Sequence, residues 1–239
     1  MSEKTDGMTI WQHINDLRKR LLIAVIGMVV AIIISGIFAD NLLELLAKPI
    51  GGLENLLSIQ VTDNLTVYFR VILLSGFIIS LPFTLMQLYL FVAPGLKQKE
   101  RQSLLIAVPF AILMFCAGAV FAYLVMLPAA IPFLVEFAGP EVLPNWKDYV
   151  NFITSLIFWI GLSFETPLIM FVLAKLGIID AKGLAKQWRI VIIIIAVIAA
   201  VATPTPDPIN MAILMAPLFI LYLLGILLAA FAKRKQSEE

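Results

Sequence analysis

The chain has little charge and a large apolar fraction for its length. Charged residues make up 14% of its 239 residues and apolar residues make up 62%, whereas a soluble domain has about 25% charged and about 45–50% apolar residues. The mean hydropathy is +1.01. A soluble core cannot bury this much apolar surface, so lipid must surround most of the chain. The net charge of +1 gives no reason to expect nucleic acid as a partner.

Cysteine and histidine, two common metal ligands, are almost absent. Cys116 and His13 are the only residues of their types, which excludes an intramolecular disulfide and a histidine metal cluster and argues against a zinc site. The sequence also contains no P-loop, no Gly-x-Ser-x-Gly and no His-Glu-x-x-His motif. We therefore expect no bound metal, no cofactor and no enzymatic activity.

Long apolar runs predict an all-α membrane protein. A helix needs roughly 20 apolar residues to cross a hydrocarbon core of about 30 Å, and the runs do not alternate as the strands of a barrel would. We predict one domain over residues 1–239 with six transmembrane helices, at 21–39, 69–93, 104–127, 150–174, 190–202 and 209–232. The first run follows basic residues, as in a secretory signal, but it is longer than a usual signal core, so we expect it to be retained.

The distribution of lysine and arginine predicts the orientation of these helices. With a cytoplasmic N-terminus, the cytoplasmic segments carry 14 of the 17 basic residues, and the opposite side carries only Lys48, Arg70 and Lys147. Cytoplasmic loops of membrane proteins are enriched in lysine and arginine. Both termini are therefore predicted to be cytoplasmic.

The fifth predicted helix is short. Its 13 residues, 190–202, reach about 20 Å at 1.5 Å per residue, which is about 10 Å less than the hydrocarbon core. The proline-rich segment 203–208 cannot continue it, because proline lacks an N–H donor and clashes with the preceding turn. Three explanations remain open: the bilayer is thinner here, the loop at 203–208 dips into the membrane inside protein, or the polar residues 187–189 extend the helix toward the interface.

Further features concern the shape of the bundle. Prolines bend helices by removing a backbone hydrogen bond, and bent helices favour a concave bundle. They interrupt four predicted helices, at Pro82, Pro109, Pro167 and Pro217. Outside the membrane, the leucine-rich segment 41–60 predicts one or two short surface helices with a break at residues 49–52.

Glu165 requires an explanation because it lies near the middle of the fourth predicted helix. A charge at the bilayer centre costs about 2.5–3.5 kcal/mol even on insertion scales. Glu165 is either a neutral carboxyl that donates to a carbonyl freed by Pro167, or a polar contact inside the concave face. A proton- or ion-coupled secondary transporter that uses Glu165 is an alternative. It would require matched broken helices in both halves of the chain, which we do not find.

Two other acids, Asp16 and Glu100, lie in or beside basic cytoplasmic segments. Local pairing at helical spacing is one interpretation, with Lys19 or Arg20 for Asp16 and with Lys97 for Glu100. The other interpretation is that both carboxylates accept arginine from a partner. A guanidinium donates two parallel N–H bonds to a carboxylate, a geometry that lysine cannot reproduce.

Four motifs follow one another along the chain in a specific order. They are His-Ile-Asn-Asp-Leu-Arg at 13–18, Phe-Val-Ala-Pro-Gly-Leu at 91–96 followed by Lys-Glu-Arg at 99–101, Ser-Phe-Glu at 163–165, and Thr-Pro-Thr-Pro-Asp at 203–207. Together with six helices and two cytoplasmic termini, this set resembles the TatC family of twin-arginine signal-peptide receptors. Asp16 stands where that family usually has glutamate, which is one methylene longer.

The resemblance implies a function, a location and two sets of contacts. It implies the core subunit of the twin-arginine translocase, which exports folded proteins across the bacterial or archaeal cytoplasmic membrane using the proton-motive force. It implies signal-peptide contacts at His13, Asp16, Leu17, Arg18, Phe91, Pro94 and Glu100. It implies contacts with single-span partners of the TatA/TatB type at Glu165, Thr205 and Asp207, together with self-association in the membrane.

Overall fold

The described part of the chain, residues 10–131, 143–202 and 208–236 of a computed structural model, consists of α-helices joined by short turns. Within these ranges it contains no β-strand, only an isolated backbone bridge between Leu57 and Asn145. Five helices are long and apolar enough to cross a bilayer, and a sixth apolar helix is shorter. The prediction of an all-α, polytopic membrane fold is confirmed.

Nine α-helices are numbered here in chain order over the described residues. They are α1 (Ile10–Ile37), α2 (Ala39–Ala47), α3 (Val61–Val92), α4 (Gln98–Phe121), α5 (Trp146–Phe164), α6 (Thr166–Lys175), α7 (Ala181–Lys186), α8 (Trp188–Ala202) and α9 (Pro208–Gln236). Single 3₁₀ turns occupy Lys48–Ile50, Leu53–Asn55 and Ala93–Gly95, and α4 continues into a π-helical turn at Ala122–Met126. The helices α5 and α6 together form the fourth long span, Trp146–Lys175.

The helices extend beyond the apolar runs from which they were predicted. The first helix, α1, begins at Ile10 rather than at residue 21, and α3 begins at Val61 rather than at residue 69. An apolar run marks only the part of a helix that lipid covers. The helix itself also includes polar residues before that run, and α3 starts at a capping box formed by Gln60 and Asp63. As a result, the polar motif at 13–18 lies on α1 and not on a loop before it.

The two ends of the bundle differ in charge. At one end lie the start of α1, the turn between α3 and α4, and residues 175–189, and these segments carry most of the described lysines and arginines. We call this the basic end. At the opposite end lie α2 and the starts of α3 and α5, joined by a hydrogen bond from the Trp146 N–H to the Leu57 carbonyl (2.9 Å). The positive-inside rule predicts that the basic end faces the cytoplasm.

Helix α5 lies at the centre of the bundle. It packs against α3, α4 and α8, and its residues Val150, Ile153 and Ile160 are buried. Lipid tails are as apolar as these side chains, so close helix contacts in a membrane depend on small residues. Gly118 of α4 provides one, because a Cβ atom there would lie 2.8 Å from the Cα atom of Gly161 in α5.

The short helix α8 contains 15 residues, Trp188–Ala202, and therefore spans about 22 Å. The structure bears on one of the three explanations of its length, and the loop at 203–207 lies outside the described residues. Trp188 and Arg189 lie on the helix, with the guanidinium 5.5 Å from the indole centroid, so polar residues do lengthen it. The helix still falls about 8 Å short of a hydrocarbon core of about 30 Å. The added polar residues therefore account for only part of the difference in length.

Candidate functional site

The start of α1 lies against the end of α3 at the basic end. The imidazole of His13 stacks on the ring of Phe91, with centroids 4.5 Å apart and planes inclined by 22°. The two helices pack along each other from this point. The stack therefore brings together two motifs that are separated by more than 70 residues in the sequence.

One face of α1 carries most of the first motif. Asp16, Leu17 and Arg20 follow His13 at spacings of three, four and seven residues, which places them on the same side of a helix. The Nε–H of Arg20 donates to Oδ2 of Asp16 over 2.8 Å, and both side chains are partly exposed. Local pairing of Asp16 is thus observed, and Arg20 is its partner. Arg18 lies on a different face and is exposed.

Glu100 closes the first turn of α4. Its Oε2 atom accepts a hydrogen bond of 2.9 Å from the backbone N–H of Lys97, as the third residue of a helix does in a capping box. A carboxylate at this position is also favoured by the helix dipole. The local partner of Glu100 is therefore the Lys97 backbone. Pro94 is exposed in the turn Ala93–Gly95 just before α4.

A second aromatic residue joins the turn to α3. Tyr89 is buried, and its hydroxyl accepts a hydrogen bond of 3.3 Å from Nε of Arg101. This contact holds the first turn of α4, with Glu100, beside the end of α3. The sequence pattern did not identify Tyr89 as part of the site, since it acts through a side-chain contact and lies outside the motifs. Arg20 was one of two candidate partners of Asp16, and Arg101 belongs to the motif at 99–101, but its contact with Tyr89 was not predicted.

We call His13, Asp16, Leu17, Phe91, Pro94 and Glu100 the basic-end site. Within the part of the chain that the structure describes, the hydrogen-bond partner found for Asp16 lies on its own helix and that found for Glu100 lies at its own helix cap. An ionised carboxylate has about four lone-pair positions. Each can therefore accept further N–H donors while keeping its local partner, as binding of a guanidinium requires.

Glu165 interrupts the fourth span. It ends α5 and precedes α6, where Pro167 lies in the first turn. Proline lacks an N–H donor and its ring clashes with the carbonyl four residues earlier, here that of Ser163, which explains the break at this point. The Glu165 carboxyl is half-buried and lies against the backbone amide of Phe115 in α4. No ion pair joins Glu165 to a basic residue in the described ranges.

The aromatic and small residues around Glu165 come from α4, α5 and α9. The ring of Phe164 lies 5.5 Å from that of Phe121. On the other side, a Cβ atom on Gly225 of α9 would lie 3.3 Å from the Cα atom of Pro167. Glu165 therefore lies where three spans meet. Thr205 and Asp207, which were expected to act with it, lie outside the described residues.

The sequence resembles known proteins over nearly its whole length. Residues 12–217 match the family model described as Sec-independent protein translocase protein (TatC). The chain is 36% identical to the Sec-independent protein translocase protein TatC of Carboxydothermus hydrogenoformans, over 96% of both chains. It is 34% identical to the protein of the same name in Deinococcus radiodurans, over 96% of this chain and 88% of that one.

The fold is similar to that of a solved structure as well. A crystal structure of the twin arginine translocase receptor TatC superposes with a TM-score of 0.83 and 32% identity, over 92% of this chain and 99% of that one. None of these relatives bears the name of an ion-coupled transporter, so that interpretation of Glu165 is not supported. The extent of the family match and the identities over most of the chain show that the protein belongs to the TatC family and is a multi-pass core subunit of the Sec-independent, twin-arginine protein translocase in the cytoplasmic membrane.

Proposed function

We propose that the basic-end site binds the arginine pair of a twin-arginine signal peptide on the cytoplasmic side of the membrane. The observation that carries this proposal is the stack of His13 on Phe91 (4.5 Å), because it brings the face of α1 that carries Asp16 beside the turn that leads to Glu100. The carboxylates of Asp16 and Glu100 are the groups that accept the two guanidinium ions. Leu17, Phe91 and Pro94 supply apolar contact for the peptide next to the arginines.

The local partners of the carboxylates are weak enough to allow this binding. The pair between Asp16 and Arg20 is partly exposed and joins residues four apart on one helix, and such pairs contribute about 0.3–0.5 kcal/mol. A hydrogen bond to a charged group that is partly desolvated contributes about 1.5–3 kcal/mol. A signal peptide whose apolar segment covers the site can therefore displace or share these local contacts. Arg18, on another face of α1, contributes charge rather than direct contact.

Site-specific photo-crosslinking tests the proposal. A photoreactive amino acid replaces Lys97, which is exposed and whose backbone N–H donates to Glu100. The membranes receive a precursor with either Arg-Arg or Lys-Lys in its signal. We expect crosslinks to the Arg-Arg signal that are lost with Lys-Lys, since lysine cannot form the bidentate geometry. The same probe at Lys48, at the opposite end of the bundle, is the control and should give no crosslink. Equal crosslinking of both signals would refute recognition of guanidinium geometry at this site.

We infer further that Glu165 is the contact for single-span partners of the TatA/TatB type. It is a polar side chain at membrane depth where α4, α5 and α9 meet, half-buried and without an ion-pair partner among the described residues. A polar group of a partner helix would satisfy it. Thr205 and Asp207 are proposed to act in the same interaction, along with self-association of the subunit. The proton-motive force is proposed as the energy source, in keeping with the absence of a nucleotide-binding motif in the sequence.

Replacing Glu165 by alanine is expected to reduce partner association about tenfold or more. The variant removes a hydrogen bond to a charged or polar group in a water-poor environment, which contributes about 1.5–3 kcal/mol. Glu165→Gln keeps a hydrogen-bonding group and should lose less. Crosslinking of the partner through a probe at the exposed Leu162, one turn earlier, measures the effect. Ser163→Ala is the control, because the Ser163 hydroxyl bonds to its own helix at the Trp159 carbonyl (2.6 Å). Undiminished crosslinking in Glu165→Ala would contradict the assignment.

A further inference from the structure

Arg70 is a basic residue within the apolar span Val61–Gly95, and two hydroxyl groups of α5 fix its position. Its Nε–H donates to Oγ1 of Thr154 over 3.0 Å, and its Nη2–H donates to Oγ of Ser155 over 2.9 Å. The partners lie 84 and 85 residues further along the chain. Both acceptors bind the same edge of the planar guanidinium, formed by Nε and Nη2. The orientation of the guanidinium is therefore fixed, and its opposite edge is directed away from α5.

The acceptor at Thr154 is arranged before any ligand arrives. Thr154 is 3% exposed, and its own hydroxyl proton is donated to the Val150 carbonyl over 2.6 Å. A hydroxyl that has used its only proton presents lone pairs to other neighbours, which is what Arg70 requires. A guanidinium carries five N–H donors. After Thr154 and Ser155 are satisfied, three donors remain for a ligand, and Arg70 itself is exposed.

The charge of Arg70 is not compensated by its partners. Hydroxyl groups are neutral, and the ion pairs found within the described ranges join Arg20 to Asp16 and Lys147 to Asp63. An uncompensated arginine is unfavourable in a membrane span, by about 2.5–3.5 kcal/mol at the bilayer centre on insertion scales and by less toward the headgroups. An anion from outside this chain would therefore stabilise Arg70 in its position.

The depth of Arg70 indicates which anion can reach it. Arg70 lies nine residues after Val61, or about 13 Å along α3, and the starts of α3 and α5 are joined at the opposite end by the bond between Trp146 and Leu57. Side chains on a helix lean toward its N-terminus, so the guanidinium is raised toward that end. Tyr68 and Trp146 lie above it, as aromatic residues do at the level of lipid headgroups.

We propose that Arg70, Thr154 and Ser155 form a site for the phosphate group of an outer-leaflet phospholipid. Phosphate oxygens match the end of the guanidinium fork in a bidentate arrangement, and phospholipid is the abundant source of such anions at this depth. The short helix α8 packs against α5 and is about 8 Å shorter than the hydrocarbon core. A bilayer that thins to match it lowers the outer headgroups toward Arg70.

Native mass spectrometry of the purified protein tests the site. Protein in micelles is titrated with phosphatidylglycerol or phosphatidylcholine, and the fraction that retains one bound lipid is measured. We expect Arg70→Gln to weaken retention of both lipids about tenfold, as loss of charged hydrogen bonds does. Arg70→Lys should retain lipid less well than the wild type but better than Arg70→Gln, because lysine keeps the charge but cannot contact both hydroxyls and phosphate. Lys48→Gln removes an exposed cation at the same end of the bundle and should retain lipid as the wild type does.

Three results would overturn the proposal. The first is unchanged lipid retention in Arg70→Gln. The second is displacement of the lipid by millimolar inorganic phosphate, which would assign the site to a soluble anion. The third is loss of a co-purifying protein from Arg70→Gln with normal lipid retention, which would assign Arg70 to a partner's carboxylate. If Arg70→Gln does not fold, Thr154→Val decides the question. It keeps the side-chain shape, removes the fixed acceptor, and should weaken lipid retention with the fold unchanged.

Discussion

Replacing Asp16 by asparagine and Glu100 by glutamine in one protein is expected to weaken binding of a twin-arginine signal peptide about 100-fold or more. Each carboxylate contributes about 1.5–3 kcal/mol through a charged hydrogen bond when the peptide covers it, and 1.4 kcal/mol corresponds to a tenfold change. The competing pair between Asp16 and Arg20 reduces this only slightly, since exposed helical pairs are weak. The effect is therefore large because two desolvated charges are lost together.

The chosen substitutions separate recognition from folding. Glutamine at position 100 keeps an oxygen that can accept the Lys97 N–H bond of 2.9 Å, so α4 keeps its cap, whereas Glu100→Ala removes the cap and the charge together. Loss of a helix cap costs about 0.5–2 kcal/mol of stability. Only Glu100→Ala should therefore unfold more readily, while both variants should bind the peptide weakly.

Fluorescence anisotropy of a labelled signal peptide, with the protein in lipid nanodiscs, measures this binding. A Lys-Lys peptide is the control, and its already weak binding should change little in the double variant. Single variants complete a double-mutant cycle, which shows whether the two carboxylates hold the same peptide. If the double variant binds the Arg-Arg peptide with an affinity within threefold of the wild type, Asp16 and Glu100 do not bind the peptide and make only their local contacts.

Part of the candidate site could be predicted from the sequence, because several of its residues belong to recognisable motifs. His13, Phe91 and Glu100 were chosen from their motifs, and the structure places His13 in contact with Phe91. The contact itself could not be predicted, since it depends on how α1 packs along α3 over a distance of more than 70 residues in sequence. Helical spacing predicts either Lys19 or Arg20 as the partner of Asp16. Only the side-chain geometry in the structure identifies Arg20.

The same division applies to the fold. Apolar runs predicted the helices, and Pro167, which lacks an N–H donor and clashes with the preceding turn, accounts for the break at Glu165. Hydropathy could not predict that α1 begins at Ile10, because it detects lipid contact and not helix propensity. It also gave no sign of the π-helical turn Ala122–Met126. The hydroxyl partners of Arg70 depend on tertiary packing, and a sequence pattern records only that an arginine interrupts an apolar run.

Gly76→Ala is expected to lower the free energy of unfolding by about 1–3 kcal/mol, the usual effect of overpacking a close contact. Gly76 lies on α3 in close contact with α1, and a Cβ atom there would lie 2.6 Å from Cα and 2.9 Å from N of Ile32. Backbone atoms cannot move aside as a side chain can, so the two helices must separate. The hydroxyl contact between Ser35 and Ser75, one residue earlier on α3, would be disrupted as well.

The sign of this effect distinguishes it from intrinsic helix propensity. Alanine in a helix is about 0.8–1.0 kcal/mol more favourable than glycine, so Gly36→Ala on α1, where no atom lies within 4 Å of the new Cβ, should leave stability unchanged or raise it. Thermal unfolding in detergent, followed by near-ultraviolet circular dichroism, measures both variants. Because α1 also carries His13 and Asp16, separation of α1 from α3 in Gly76→Ala should weaken signal-peptide binding too. A Gly76→Ala protein as stable as Gly36→Ala would show that α1 and α3 are not held together by this contact.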